Sequence, residues 1–241
     1  LSIQHILRIA TPLLIFSCCR TLSAEPGSTE PPFDWYEAYL SDNPSLEIEE
    51  CSRNIGPHGI IITYTIKAEG FSPHDSFSLW KKNGDHFSEY KYKLEYPVEL
   101  SRNIQIEINF QIENFSPGQV LDLAMVSKDT SRIAHSRTIP IPIAAKGTNG
   151  CLVEAELTSE TGHYFLMTFK GFEPEEKVEI VNQFSLDKVS YEQEATEDGT
   201  IYSFVGFEKW VHGKAEISAN GNGHSVSMEY DVGKDAITAK Q

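Results

Sequence analysis

The sequence has little positive charge: 20 lysines and arginines stand against 35 aspartates and glutamates in 241 residues, a formal net charge of -15. Nucleic acid and anionic lipid surfaces repel such a chain at long range unless a compact basic patch offsets it. The densest basic stretch, Lys81-Lys82 with Lys91 and Lys93, is interleaved with Asp85 and Glu89 and reads as a solvated strand edge. Nucleic acid is therefore not an expected partner. A long apolar run is also missing, since no window after residue 25 approaches the roughly 20 residues that cross a bilayer. Membrane contact is expected only through a lipid anchor.

Signatures of catalysis are absent as well. No Gly-x-Ser-x-Gly elbow, phosphate loop or dinucleotide fingerprint occurs. The eight histidines are scattered, without the spacing metal sites use, and His74, His86, His163, His212 and His224 fall at turns or strand starts. Acidic clusters at 47–50, 173–176 and 192–198 read as solvated turns. Calcium at such a loop, or a carboxylate pair for glycoside hydrolysis, is the rival reading. The chain is read as non-enzymatic, with no cofactor and no metal.

Cysteine is scarce, with four in the chain, two of them adjacent at Cys18-Cys19. Residues 1–24 look like an export signal: His5 and Arg8 precede the short apolar run Ile9–Ser17, and Ser23-Ala24 supply small residues. Two processing readings are open. Ile15-Phe16-Ser17-Cys18 resembles a lipoprotein signal with Cys18 lipidated, and Ala24-Glu25 suits ordinary cleavage. Either places the protein in the periplasm, on the outer membrane or outside the cell.

Residues 25–44 form a tether and an aromatic segment. Glu25–Pro32 holds three prolines, one glycine and two acids, which suits an extended linker. Phe33–Ser41 then places Phe33, Tyr36 and Leu40 on one helical face, with Trp35 and Tyr39 adjoining, and reads as a short helix. Its aromatics serve either as a docking platform or as a lid over one end of a sandwich.

What is abundant from Leu46 onward is period-two alternation. Ile60–Ile66, Phe77–Leu79, Ile104–Ile108 and Leu121–Met125 read as strands, and Thr138–Ile143 (TIPIPI) reads as a closing edge strand that Pro140 and Pro142 protect. The pattern then repeats: Gly70-Phe71-Ser72-Pro73 and Gly171-Phe172-Glu173-Pro174 stand 101 residues apart, and Val153, Ala155 and Leu157 alternate with glutamates. Two domains follow, 45–146 and 147–241.

The Gly-Phe-x-Pro phrase followed by an acid and an alternating strand resembles the tandem immunoglobulin-like domains of exported bacterial proteins. The resemblance implies an all-β chain of two tandem immunoglobulin-like β-sandwiches preceded by a signal segment, a Pro-rich linker and a short aromatic helix. It implies a scaffold for display, spacing or adhesion, with a protein or glycan partner in the cell envelope. A carbohydrate-active accessory protein, a small hydrolase and a two-domain periplasmic chaperone are the alternatives. The candidate contact residues are Trp35, Tyr36, Tyr39, Trp80 and Trp210. Each domain carries one remaining cysteine, and if sandwich poles bring the first strands to the junction, Cys51 and Cys151 are positioned to form an interdomain disulfide.

Overall fold

The computed structural model describes residues 30–35, 45–56, 59–71, 76–83, 86–90, 105–106, 111–112 and 115–237. The all-β expectation holds: among the described residues sixteen strands form four antiparallel sheets, with a four-residue helix α1 (Lys234–Ile237). The chain divides into two compact units.

In the N-terminal unit β1 (Ser45–Gly56) and β2 (Gly59–Glu69) make a long hairpin, and β5 (Gln105–Ile106) and β6 (Gln111–Ile112) both pair with β2. The second sheet runs β4 (His86–Tyr90), β3 (Phe77–Asn83), β7 (Leu121–Ser127), β8 (Ile133–Thr138). Strand β2 shows why the segment is a strand: β-branched and aromatic side chains alternate, and Ile62, Tyr64, Ile66 and Ala68 are buried. Leu79, Leu121, Leu123 and Met125 are fully buried as well.

The C-terminal unit begins at Ile141 and includes Phe115–Gln119. One sheet runs β14 (Ile201–Gly206), β11 (Tyr164–Lys170), β10 (Leu152–Leu157), β9 (Ile143–Lys146). The other runs β13 (Asp187–Glu194), β12 (Lys177–Phe184), β15 (Gly213–Asn220), β16 (Ser225–Val232). Alternate residues of both sheets enter one apolar core: Val153 and Ala155, Phe165, Met167 and Phe169 from the first, Val178, Ile180, Ile217 and Met228 from the second. Burying such side chains stabilises by about 1.5–3 kcal/mol each before conformational entropy is subtracted. Residues 115–119 lie against this unit, where Leu157 N–H donates to Gly118 O at 2.8 Å and Ser116 Oγ donates to Ile237 O at 3.1 Å.

The strand order is the same in both units, apart from β9 added at one edge and the place of β14 being taken by the two short strands β5 and β6. The turn glycines correspond too, with Gly70 at φ 86° and Gly171 at φ 87°, the left-handed region where a side chain is strained. Phe71 and Phe172 follow them, each 5% exposed, as anchors of the turn.

The TIPIPI run is not one strand. Strand β8 stops at Thr138, the chain bends through Pro140 and Ile141, and β9 pairs with β10 in the C-terminal unit. Two residues that lack an N–H interrupt the ladder, so the alternating isoleucines are divided between the units. Pro140 O instead accepts a 2.7 Å hydrogen bond from Arg53.

Candidate functional site

Strands β11 and β14 are apolar or aromatic on both faces. Their inward residues fill the core, and the register sets the outward ones side by side: Tyr164 opposite Gly206, Leu166 opposite Phe204, Thr168 opposite Tyr202. Tyr202 is 54% exposed, and Tyr164 and Phe204 are each 39% exposed. The Tyr164 and Phe204 rings stack, with centroids 5.9 Å apart and planes inclined by 19°. Gly206 makes this arrangement possible, because a Cβ there would lie 2.9 Å from the Tyr164 ring. The missing side chain lets that ring lie across the sheet.

The rim is polar and fixed. Lys170 donates to Glu154 at 2.5 Å on the β10 side. At the β14 edge Gln193 Nε2 donates to Tyr202 O at 3.1 Å, and Tyr191 and Ser203 share a hydroxyl hydrogen bond beneath it. Burial raises the Tyr191 phenol above its ordinary range, so this hydroxyl stays protonated at neutral pH. An aromatic platform rimmed by hydrogen-bonding groups and held by a rigid sheet suits recognition of a surface that is apolar on one side and polar at its edges.

Among the residues expected to make contacts, Trp210 is exposed at 66%, in the turn where Val211 N–H donates to Glu208 O at 2.9 Å. That turn leaves the Gly206 end of β14 and is held by a 3.0 Å hydrogen bond between His163 Nε2 and Val211 O. Trp35 and Trp80 are buried, at 5% and 4% exposure. They sit in one cluster with Ala124 and Val126, flanked by Phe33, Phe87 and Ile133, on the outer face of the β4-β3-β7-β8 sheet. Phe33 and Trp35 therefore pack on a sheet face, and β7 is buried along its whole length. Trp80 Nε1 donates to Ser78 Oγ at 2.9 Å, whereas Trp35 Nε1 has no hydrogen-bond partner among the described residues. Leaving such a donor unsatisfied costs about 1–3 kcal/mol. Tyr36, Tyr39 and Cys18 lie outside the described residues, as does most of the expected helix over 33–41.

Cys51 and Cys151 are both free thiols in the structure. Cys51 is exposed at a bulge in β1, between the Glu50–Tyr64 and Ser52–Thr63 pairs, and shares a 2.7 Å hydrogen bond with Thr65. Cys151 is fully buried in the core beside Val153, and burial pushes its thiol pKa up.

Glu176 in the second acidic cluster is committed to structure. Its carboxylate accepts from Glu173 N–H at 2.8 Å, from Asn222 N–H and from His224 at 3.0 Å, clasping the β15–β16 turn onto the Gly-Phe-x-Pro turn. Burial opposes its ionisation, but these donors outweigh it and hold the pKa below the usual carboxylate range. Among the described residues no three histidine, cysteine or acidic side chains gather as a metal site would require.

The outer face of β11 was not identified from the sequence. The available signal was a lack of alternation: Tyr164-Phe165-Leu166-Met167 and Tyr202, Phe204 and Phe207 place large apolar groups on both sides of paired strands. Comparison with known protein families and with characterised proteins finds no match for this chain.

Proposed function

We propose that this chain is a non-enzymatic binding module of the cell envelope, exported and either released or lipid-tethered, built on two immunoglobulin-like sandwiches. Two features support the immunoglobulin-like reading: the shared strand order, three core strands against four, and the matched Gly-Phe turns. The observation that carries the binding role is the exposed Tyr164–Tyr202–Phe204 platform on the outer face of the C-terminal unit. Large aromatics on an exposed rigid face are costly to keep in water and dominate contacts when covered.

The partner is a protein or glycan of the envelope. Immobilised protein is exposed separately to purified envelope glycans and to solubilised envelope proteins, alongside a Tyr202→Ser/Phe204→Ser variant. Retention of one class by the parent, reduced about tenfold or more in the variant, is the expected result. Equal retention by both proteins would remove the platform from the function.

A further inference from the structure

The Tyr164–Tyr202–Phe204 platform is one half of a larger outer face. Strand β11 lies between β14 and β10, and the register carries each row across all three strands: Tyr202, Thr168 and Glu154 in one row, Phe204, Leu166 and Glu156 in the next. The rows stand two residues apart, about 7 Å, and each crosses two interstrand gaps of about 5 Å. Every row therefore runs from an aromatic ring to a carboxylate across one uncharged residue.

Both ends of a row attract the same kind of ligand. A Cβ on Gly206 would come within 2.9 Å of the Tyr164 ring, so that ring lies across the sheet with one face turned outward. The Phe204 ring is inclined to it by only 19°, and the two present nearly parallel faces. An aromatic face carries the negative end of the ring quadrupole and attracts a cation, as a carboxylate does by its charge. An acidic glycan is repelled by both.

The glutamates already show the preference. Glu47 and Glu49 lie opposite Lys67 and Thr65 in the N-terminal unit as Glu154 and Glu156 lie opposite Thr168 and Leu166 in the C-terminal unit. Each unit seats one lysine of its own on such a pair, Lys67 on Glu49 and Lys170 on Glu154. In the C-terminal unit that lysine stands at the strand end, opposite Leu152 and in one row with Lys146, so the positions between the glutamates and the rings are held by Thr168 and Leu166. The composition of the unit adds to the bias. Residues 141–241 contain 17 aspartates and glutamates against 8 lysines and no arginine, a field that draws cations from solution.

Resting on the reading of the platform as the binding surface, we propose that its partner is an extended basic segment of an envelope protein, with arginines at alternate positions, laid along β11 so that its guanidinium groups stack on the rings of Tyr164, Tyr202 and Phe204 and meet the carboxylates of Glu154 and Glu156. An extended chain repeats its side-chain direction every two residues, the interval at which Phe204 follows Tyr202 and Glu156 follows Glu154. Arginine suits the site better than lysine because its planar group stacks on a ring while donating to a carboxylate.

The test titrates the full-length protein into a fluorescently labelled eight-residue peptide of alternating arginine and serine and follows anisotropy. The same peptide with citrulline in place of each arginine keeps the shape and removes the charge. Saturable binding of the arginine peptide is expected, weakened about tenfold or more by Tyr202→Ser/Phe204→Ser and by Glu154→Gln/Glu156→Gln with the circular dichroism unchanged, and lost with citrulline. Glu192→Gln/Glu194→Gln removes the same charge from the outer face of β13 and should leave the affinity within about twofold. Equal weakening by the two glutamine pairs, undiminished binding by Tyr202→Ser/Phe204→Ser, or no binding of the arginine peptide would overturn the proposal. Envelope glycans retained by the parent and lost in the Tyr202→Ser/Phe204→Ser variant, with no binding of the arginine peptide, would overturn the basic partner and leave the platform as the binding surface. Binding of every probe independent of the platform would overturn both.

Discussion

Gly206 and Tyr164 show how one missing side chain shapes a surface. Gly206 lies opposite Tyr164 with the ring over it, and its φ is not in the left-handed region, so the glycine provides space and not a backbone conformation. A Gly206→Val variant is expected to lift the Tyr164 ring off Phe204 and to change the chemical shifts of both rings, while stability shifts by less than about 1 kcal/mol because the site is at the surface. Unchanged aromatic shifts would contradict the stacking. The two thiols give a second test at this scale. Cys51 should react with iodoacetamide in the native protein and Cys151 only after unfolding, since one is exposed and the other fully buried in the core. Intact mass reads the outcome, and equal native reactivity would contradict the burial of Cys151. Two thiols that both resist alkylation until reduced would instead show the interdomain disulfide.

At the scale of elements, the Gly-Phe turn was the most legible feature. A glycine, an aromatic and a proline in fixed order define a φ, an anchor and a chain direction, and the structure gives Gly70 and Gly171 nearly the same positive φ. A Cβ on Gly171 would also lie 3.0 Å from Gly150 O. Gly171→Ala is expected to destabilise the C-terminal unit by about 1–2 kcal/mol, seen as a lower denaturant midpoint with an unchanged slope. The TIPIPI run was less legible because alternation of isoleucines is a side-chain signal, whereas continuation of a strand depends on N–H donors that Pro140 and Pro142 lack. The platform was missed for a related reason. Period-two reading finds strands by contrast between their faces, and β11 and β14 have little contrast. Trp35 and Trp80 were each legible as an aromatic that either contacts a partner or packs inside, but not as members of one cluster, since sequence shows where the rings are in the chain and not which face of another strand covers them.

At the scale of the whole molecule, each unit carries tyrosines that folding keeps neutral. Burial pushes the Tyr64 phenol up to about 12, and Tyr191 and Tyr230 are raised by the same cause. Since the unfolded phenols titrate near 10, stability from this source is complete below about pH 10. It falls as pH rises toward the folded values, because the unfolded state then releases protons the folded state retains. The slope is up to about 1.4 kcal/mol per pH unit for each such tyrosine. Denaturant midpoints between pH 8 and pH 11.5, a range set by the titration near 10, should stay level and then decline, with a shallower decline for the N-terminal unit in a Tyr64→Phe variant. A midpoint independent of pH across that range would contradict the burial of these phenols.

The claim that the C-terminal aromatic platform is the binding surface is tested most directly by photo-cross-linking in the living cell. Benzoylphenylalanine replaces Tyr202 on the outer face of β14 in one strain and Glu192 on the outer face of β13 in another. The account predicts a discrete adduct from position 202, reduced when Phe204→Ser is added, and none of that mass from position 192. Adducts of equal yield from both positions, or from position 192 alone, would contradict it.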